Sequence, residues 1–196
     1  DGKTVSVTIR DYNEYACYKG VINIPSEVTY NNVTYMVTNI SNNAFSASRY
    51  LKGVNIPESV KYIGYSAFSN CDSLISIVIP DNVQSIASYA FSGSPLLQSV
   101  VIGDSIQSIN EATFKNCTSL KSVTLGNAVK SIGASAFEGC DSLISVNIPK
   151  SVRTIGSAAF YKCRSITSLK MDTIESLGNS AFSGCSSLTK VILPET

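Results

Sequence analysis

The spacing of the phenylalanines constrains this chain more than any other feature of its sequence. Successive phenylalanines stand 23 residues apart, with a last step of 22, and the series includes every phenylalanine in the chain: Phe45, Phe68, Phe91, Phe114, Phe137, Phe160 and Phe182. A constant period in the twenties is typical of a solenoid, in which one repeat cannot bury its own apolar side chains and stacked repeats cover one another.

Other apolar positions recur with the phenylalanine. In the repeat around Phe68, Leu74, Ile77 and Ile79 form a Leu-x-x-Ile-x-Ile unit that is followed by Pro80. This unit predicts a short strand, because alternate residues of a strand face the same side. Proline cannot donate to a strand ladder, so we expect the strand to end there.

The rest of each repeat predicts a second wall and a turn. A second apolar pair, such as Val83 and Ile86, indicates a short segment on the opposite wall. The Gly-x-x-Ala-Phe segment then predicts a tight turn and about one helical turn, with phenylalanine in the middle of the coil. The sequence therefore predicts a β-rich repeat solenoid of about seven 23-residue rungs with short helical turns, and we expect the one missing residue to fall in a turn near Asp172.

The repeated unit Ala-Phe-x-x-Cys-x-Ser-Leu-x-x-Val-x-Ile-Pro-x-x-Val-x-x-Ile-Gly, found over about residues 40–196, resembles the BspA-like leucine-rich repeat family. The resemblance implies a right-handed leucine-rich-repeat-like coil. It also implies a secreted or cell-surface protein, typically bacterial, that adheres to host proteins or to other cells. It assigns no binding residues, because the repeated motif is a folding motif.

The two ends depart from the repeat. Residues 1–39 lack the phenylalanine series and predict an N-terminal β-hairpin cap, with a strand at 5–9, a strand-plus-proline unit at 20–25 and a hairpin at 28–40. We expect residues 40–196 to form one continuous leucine-rich repeat domain. Residues 186–196 supply only half a rung, which predicts either that the chain continues or that another molecule covers the open edge.

Composition excludes several classes of function. A formal net charge of +1 gives no electrostatic reason to bind nucleic acid, and the absence of histidine excludes a Ser-His-Asp triad and zinc sites that need imidazole. The sequence contains no apolar run of about 18 residues that could span a membrane. It also lacks a signal peptide, so the chain is either intracellular or has lost a leader.

The cysteines and the Asp-Ser pairs have chemical and structural interpretations. Five cysteines follow a phenylalanine by three residues: Cys71, Cys117, Cys140, Cys163 and Cys185. They could form a metal or redox array, but Ser48 and Ser94 at the same position favour small buried groups. Cys17 lies in the cap without an obvious partner. Asp72-Ser73 and its equivalents lack a histidine base, which favours turn hydrogen bonds over nucleophilic chemistry.

Residues eight and ten positions after each phenylalanine are expected to point outwards from the strands. This surface is flat and neutral, without an aromatic platform for sugars or a carboxylate pair for glycoside hydrolysis. It is either plain solvent-facing sheet or a platform for a protein strand, loop or extended polymer. The candidate binding face consists of Ser76, Ser99, Ser122, Thr124, Ser145, Asn147, Ser168 and Lys170. Elsewhere, Tyr62, Tyr65 and Tyr89 fall on neighbouring rungs and could form one patch or pack locally.

These observations favour a non-catalytic, secreted or cell-surface module that binds protein and needs neither cofactor nor metal. The expected partner is a host extracellular-matrix or cell-surface protein, or another bacterial surface protein. The alternative is a structural stalk or spacer that presents a domain outside this chain.

Overall fold

The computed structural model of the protein describes residues 3–8, 18–171 and 173–192. In chain order its strands are β1 (Thr4–Val7), β2 (Lys19–Asn23), β3 (Glu27–Tyr30), β4 (Val33–Ile40), β5 (Tyr50–Asn55), β6 (Tyr62–Ile63), β7 (Ser76–Ile79), β8 (Ser85–Ile86), β9 (Ser99–Ile102), β10 (Ser108–Ile109), β11 (Ser122–Thr124), β12 (Ser131–Ile132), β13 (Ser145–Asn147), β14 (Thr154–Ile155), β15 (Ser168–Lys170), β16 (Ser176–Leu177) and β17 (Lys190–Ile192).

Each repeat contributes one strand to each of two parallel walls. We name a rung by its phenylalanine: the Phe68 rung, for example, contains β6, the turn around Phe68, and β7. The strands after the phenylalanines form the front wall, with β7, β9, β11 and β13 hydrogen-bonded side by side. The strands before the phenylalanines form the back wall, in the orders β4-β6-β8 and β10-β12-β14-β16. The solenoid predicted from the phenylalanine spacing is therefore confirmed.

The core lies between the two walls and is built around a column of phenylalanine rings. Rings of successive rungs stack with centroids 4.9–5.5 Å apart and with planes within 13° of parallel. Phe45 to Phe160 are at most 1% exposed, whereas Phe182 is half-buried. Full burial of such a side chain stabilises the fold by roughly 1.5–3 kcal/mol, and each ring obtains it only from the rungs above and below.

The turn that carries the phenylalanine differs from the short helical turn predicted for it. Within the described residues there is no helix; consecutive hydrogen-bonded turns occupy this segment instead. Two residues in each rung, two positions before and two after the phenylalanine, have positive φ, as Ser66 (51°) and Asn70 (55°) do around Phe68. An α-helix needs unbroken right-handed dihedrals, so two left-handed residues four positions apart prevent it.

The N-terminal residues pair with both walls. β3 and β4 form an antiparallel hairpin, and Asn31 and Asn32 adopt positive φ at its turn. β1 pairs in parallel with β4, and β2 pairs in parallel with β5. Tyr18 places its ring 4.6 Å from that of Phe45 and so extends the aromatic column by one ring. Cys17 and Ile9, which belonged to the cap prediction, lie outside the described residues.

The missing residue of the last step is absorbed between the two walls. β15 begins 23 residues after β13, whereas β14 pairs with β16, and β15 with β17, at a spacing of 22. The deletion therefore lies between Lys170 and Ser176, as the sequence predicted. Both walls keep their pairing because the turn shortens instead of a strand.

Candidate functional site

The candidate binding face lies on the front wall, where the strands bring its residues into register. Ser76, Ser99, Ser122 and Ser145 are direct partners on neighbouring strands and form one row. A second row, two residues further along the strands, contains Thr124 and Asn147. Ser168 and Lys170 occupy the equivalent positions on β15, which pairs with β17. Seven of these eight side chains are exposed and Ser99 is half-buried.

Aliphatic side chains interrupt these polar rows. Val78 and Val101 are partners in the second row and are 61% and 43% exposed. Ile75 and Ile144 stand at the bend that leads into the front strands and are also exposed. Strand alternation identifies Val78 and Val101 as outward residues, but it does not identify Ile75 and Ile144, because the bend does not follow that alternation. The front wall is thus a mixed surface of hydroxyl and small aliphatic groups.

The cysteine thiols donate hydrogen bonds that connect the stacked turns. Each thiol that follows a phenylalanine donates to the carbonyl oxygen of the phenylalanine one rung earlier; for Cys117 the Sγ···O distance to Phe91 is 3.2 Å. The same bond is made by Cys71, Cys140, Cys163 and Cys185 at 3.0–3.2 Å. Ser94 makes it through its hydroxyl, 3.1 Å from the Phe68 oxygen. Cysteine and serine interchange at this position because both are small donors.

Burial keeps these thiols protonated. It raises the pKa of Cys117 to about 12, and it raises the pKa of Cys140 and Cys163 as well. The nucleophile and the metal ligand are the thiolate and not the thiol, so these groups are protonated and unreactive at neutral pH. The geometry therefore supports the structural interpretation of the cysteine series over a redox array.

The aspartates of the Asp-Ser pairs join adjacent rungs. Asp72 lies 3.7 Å from Nε of Arg49, and Asp141 accepts from Arg164 at 2.5 Å. Oδ1 of Asp104 accepts from the backbone N–H of Asn127 at 2.7 Å. All three contacts join neighbouring rungs and give these carboxylates a structural role.

The tyrosines of the predicted patch lie on the back-wall side. The rings of Tyr65 and Tyr89 have centroids 5.5 Å apart and planes inclined by 52°. Tyr62 donates its hydroxyl to Oε1 of Gln84 at 2.9 Å, and Tyr89 donates to Oε1 of Glu111 at 3.1 Å. The structure therefore joins Tyr65 directly to Tyr89 and fixes each outer hydroxyl on a polar group of the following rung. The described residues contain no helix that could span a membrane.

Known proteins share both the sequence pattern and the coil. The sequence matches the family described as BspA type Leucine rich repeat region, in six copies, over residues 8–129, 38–167 and 107–196. No curated protein sequence matches significantly.

Two solved structures are similar at comparable identity. A leucine rich cell surface protein from Faecalibacterium prausnitzii is 32% identical over 97% of this chain, with a TM-score of 0.84. A leucine rich repeat protein from T. pallidum is 33% identical over 86% of this chain, with a TM-score of 0.79, and 78% of that protein is covered. The chain spans only 50% of the F. prausnitzii protein.

Proposed function

Because the chain belongs to the BspA-type leucine-rich repeat family, we propose that it is a non-catalytic module that binds a protein through its front wall. The observation that carries the proposal is the in-register row of Ser76, Ser99, Ser122 and Ser145 on four hydrogen-bonded strands. This arrangement makes a continuous surface much longer than any one repeat supplies, as in other stacked-repeat proteins that contact macromolecules.

The chemistry of the front wall suits an extended protein segment. Serine and threonine lose little rotamer entropy when a partner orders them, so contact with them costs less than contact with long side chains. Val78 and Val101 add apolar area beside these hydroxyls. Strands β9 and β11 have neighbours on both edges, so a partner must bind across the side chains and not by adding a strand there.

A relative supports the proposed location, and the partner class is proposed with it. The similar F. prausnitzii protein is described as a cell surface protein. We extend this to the present chain as a secreted or cell-surface location. The partner would be a host extracellular-matrix or cell-surface protein, or a surface protein of another bacterium.

The test is binding to immobilised extracellular-matrix and cell-surface proteins, followed by surface plasmon resonance. We expect saturable binding that disappears when Ser99, Ser122 and Ser145 are changed together to Lys, because three added charges would occupy the centre of the front wall. The matched control changes Thr154, Ser157 and Ser176 to Lys, which adds the same charge on the back-wall side.

The result also separates the two functional hypotheses. Retained binding by the front-wall variant would show that another surface is used. No saturable binding to any immobilised protein would contradict the proposal and favour the structural stalk or spacer.

A further inference from the structure

Three tyrosines stand at positions where the coil does not require an aromatic residue. The residues equivalent to Tyr62 in other rungs are Asn39, Ser85, Ser108, Ser131, Thr154 and Ser176. Those equivalent to Tyr65 are Asn42, Ser88, Glu111, Ala134, Ser157 and Asn179. Those equivalent to Tyr89 are Asn43, Ser66, Ala112, Ser135, Ala158 and Ser180. The other rungs carry Ser, Ala, Asn or Thr at these positions, and once Glu111, so folding alone does not explain three tyrosines on two neighbouring rungs.

Tyr89 is placed at a conformational cost. Its φ is 60°, in the left-handed region that a bulky residue rarely adopts. Its ring is not part of the buried core and instead contacts Tyr65, while its hydroxyl is held by Glu111. The coil imposes positive φ on this position in every rung, where the other residues are Asn, Ser or Ala, so the tyrosine and not the backbone is unusual here. A bulky side chain at this left-handed position and the surplus of tyrosines therefore mark the same surface.

We name the set formed by Tyr62, Tyr65, Gln84, Tyr89 and Glu111 the tyrosine cluster. It extends over three successive rungs on the back-wall side, and Tyr62 and Tyr65 are 49% and 47% exposed. The Tyr62 hydroxyl orients the Gln84 amide, and the Tyr89 hydroxyl orients the Glu111 carboxylate. The cluster therefore combines exposed aromatic rings with two fixed planar polar groups.

We propose that the tyrosine cluster binds a glycan chain. A sugar ring presents C–H groups that pack on an aromatic ring and hydroxyl groups that bond to amides and carboxylates, and the cluster offers both kinds of partner. The amide nitrogen of Gln84 is a donor, and the carboxylate of Glu111 accepts from hydroxyls.

A glycan fits this surface better than a protein partner does. Small polar residues lie beside the tyrosines: Ser85 is the strand partner of Tyr62, Oδ1 of Asn42 accepts from the Tyr65 N–H, and Ser88 precedes Tyr89. The centre of a protein interface is depleted of charged side chains, whereas the Glu111 carboxylate belongs to this cluster. A ligand that is itself a mixture of apolar faces and hydroxyls matches both the rings and this polar border. The site lies on the opposite wall from the proposed protein-binding surface and does not depend on it.

The experiment is affinity electrophoresis of the whole chain in native gels that contain hydroxyethylcellulose, xylan, mannan, laminarin or glycol chitin. Calorimetry with the hexasaccharide of the retarding polymer then gives the affinity. We expect at least one polymer to retard the protein. Tyr62, Tyr65 and Tyr89 changed together to Ser should weaken binding about tenfold or more, because the ring faces are lost.

The repeat itself supplies replacements that the fold tolerates, since Ser occupies each of these positions in other rungs. The matched control is Tyr161→Ser, which removes a tyrosine from a distant rung and should leave retardation unchanged. The triple variant and Tyr89→Ser should both unfold cooperatively in thermal denaturation, in which case loss of binding is not loss of fold.

Three results would overturn the proposal. The first is that none of the five polymers retards the wild-type chain. The second is that the triple variant binds as tightly as the wild type. The third is that Tyr161→Ser weakens binding as much as the triple change does. Binding of the triple variant to matrix proteins, tested separately, reports on the front wall alone.

Discussion

The buried cysteine series makes the stability of the coil sensitive to alkaline pH. The pKa of Cys117 rises from 9.0 to about 12 on folding, so the folded chain holds a proton that the unfolded chain releases. A group whose folded pKa is raised contributes stability below its unfolded pKa and loses it as the pH rises towards the folded value. The window for Cys117 is therefore from about pH 9 to about pH 12.

The magnitude follows from the two pKa values of this thiol. At pH 8 the unfolded thiol is still protonated and the contribution is complete. At pH 10 the unfolded thiol is about 90% ionised, which removes about 1.4 kcal/mol of unfolding free energy for this one residue. Burial also raises the pKa of Cys140 and Cys163, so the whole chain should lose a multiple of that value.

Cys117→Ser isolates the contribution of one thiol. Serine keeps the donor to the Phe91 carbonyl, as Ser94 does one rung earlier, and it does not titrate in this range. We expect urea denaturation at pH 8 and at pH 10, with reductant, to show about 1.4 kcal/mol less alkaline destabilisation in the variant than in the wild type.

Cys117→Ala is the second variant. It should show the same reduced pH dependence but should cost about 1–3 kcal/mol at pH 8, because the Phe91 carbonyl loses its thiol donor. Equal pH dependence in the wild type and both variants would refute the reasoning, since the thiol would then not be a buried titrating group.

Two further comparisons test the packing. Phe114→Ala should lower the free energy of unfolding by about 3–5 kcal/mol, because it empties the middle of the ring column. Ser122→Ala on the front wall should lower it by less than about 0.5 kcal/mol. Equal losses of the two variants in urea denaturation would mean that the inward and outward faces are reversed. Gly126→Ala would place a Cβ 2.3 Å from the Gly103 carbonyl oxygen and should cost about 1–3 kcal/mol in thermal unfolding. Gly53→Ala is the control, since its Cβ would lie 3.6 Å from Val21, and a comparable loss there would contradict the steric explanation.

The 23-residue period predicts the two walls, because each wall is built from residues that recur with that period. The Leu74, Ile77 and Ile79 pattern places a strand and its inward face, and the same spacing in other rungs places the parallel partners. The outward position of Ser122 and Ser145 follows from the same alternation. Burial of the cysteines could also be predicted, because serine replaces cysteine at one position of the repeat.

The turn could not be predicted in the same way, because its conformation is set by neighbouring rungs. The backbone N–H groups of Ser66, Phe68 and Asn70 donate to carbonyl oxygens of the following rung at 2.7–3.2 Å. Positive φ at Ser66 lets this pattern form, yet serine carries no strong local preference for that conformation. A locally favourable helical turn therefore gives way to bonds between residues that are far apart in sequence.

The left-handed conformation of Tyr89 could not be predicted from the sequence for the same reason. The Tyr89 ring contacts Tyr65 of the preceding rung, and its hydroxyl is held by Glu111 of the following rung. The structure shows that this tyrosine occupies the left-handed position that recurs in every rung. Sequence could group the three tyrosines, but it could not show that one of them is held in an unfavourable backbone conformation.

The stacking of rungs along one axis also has a mechanical consequence. Tension applied between the two ends of the coil acts across the strand pairs and not along them, so the hydrogen bonds of one rung would separate before those of the next are disturbed. Each released repeat of 23 residues would lengthen the chain by up to about 80 Å. A molecule built in this way would yield to shear flow in discrete steps and would recover its length as rungs close again.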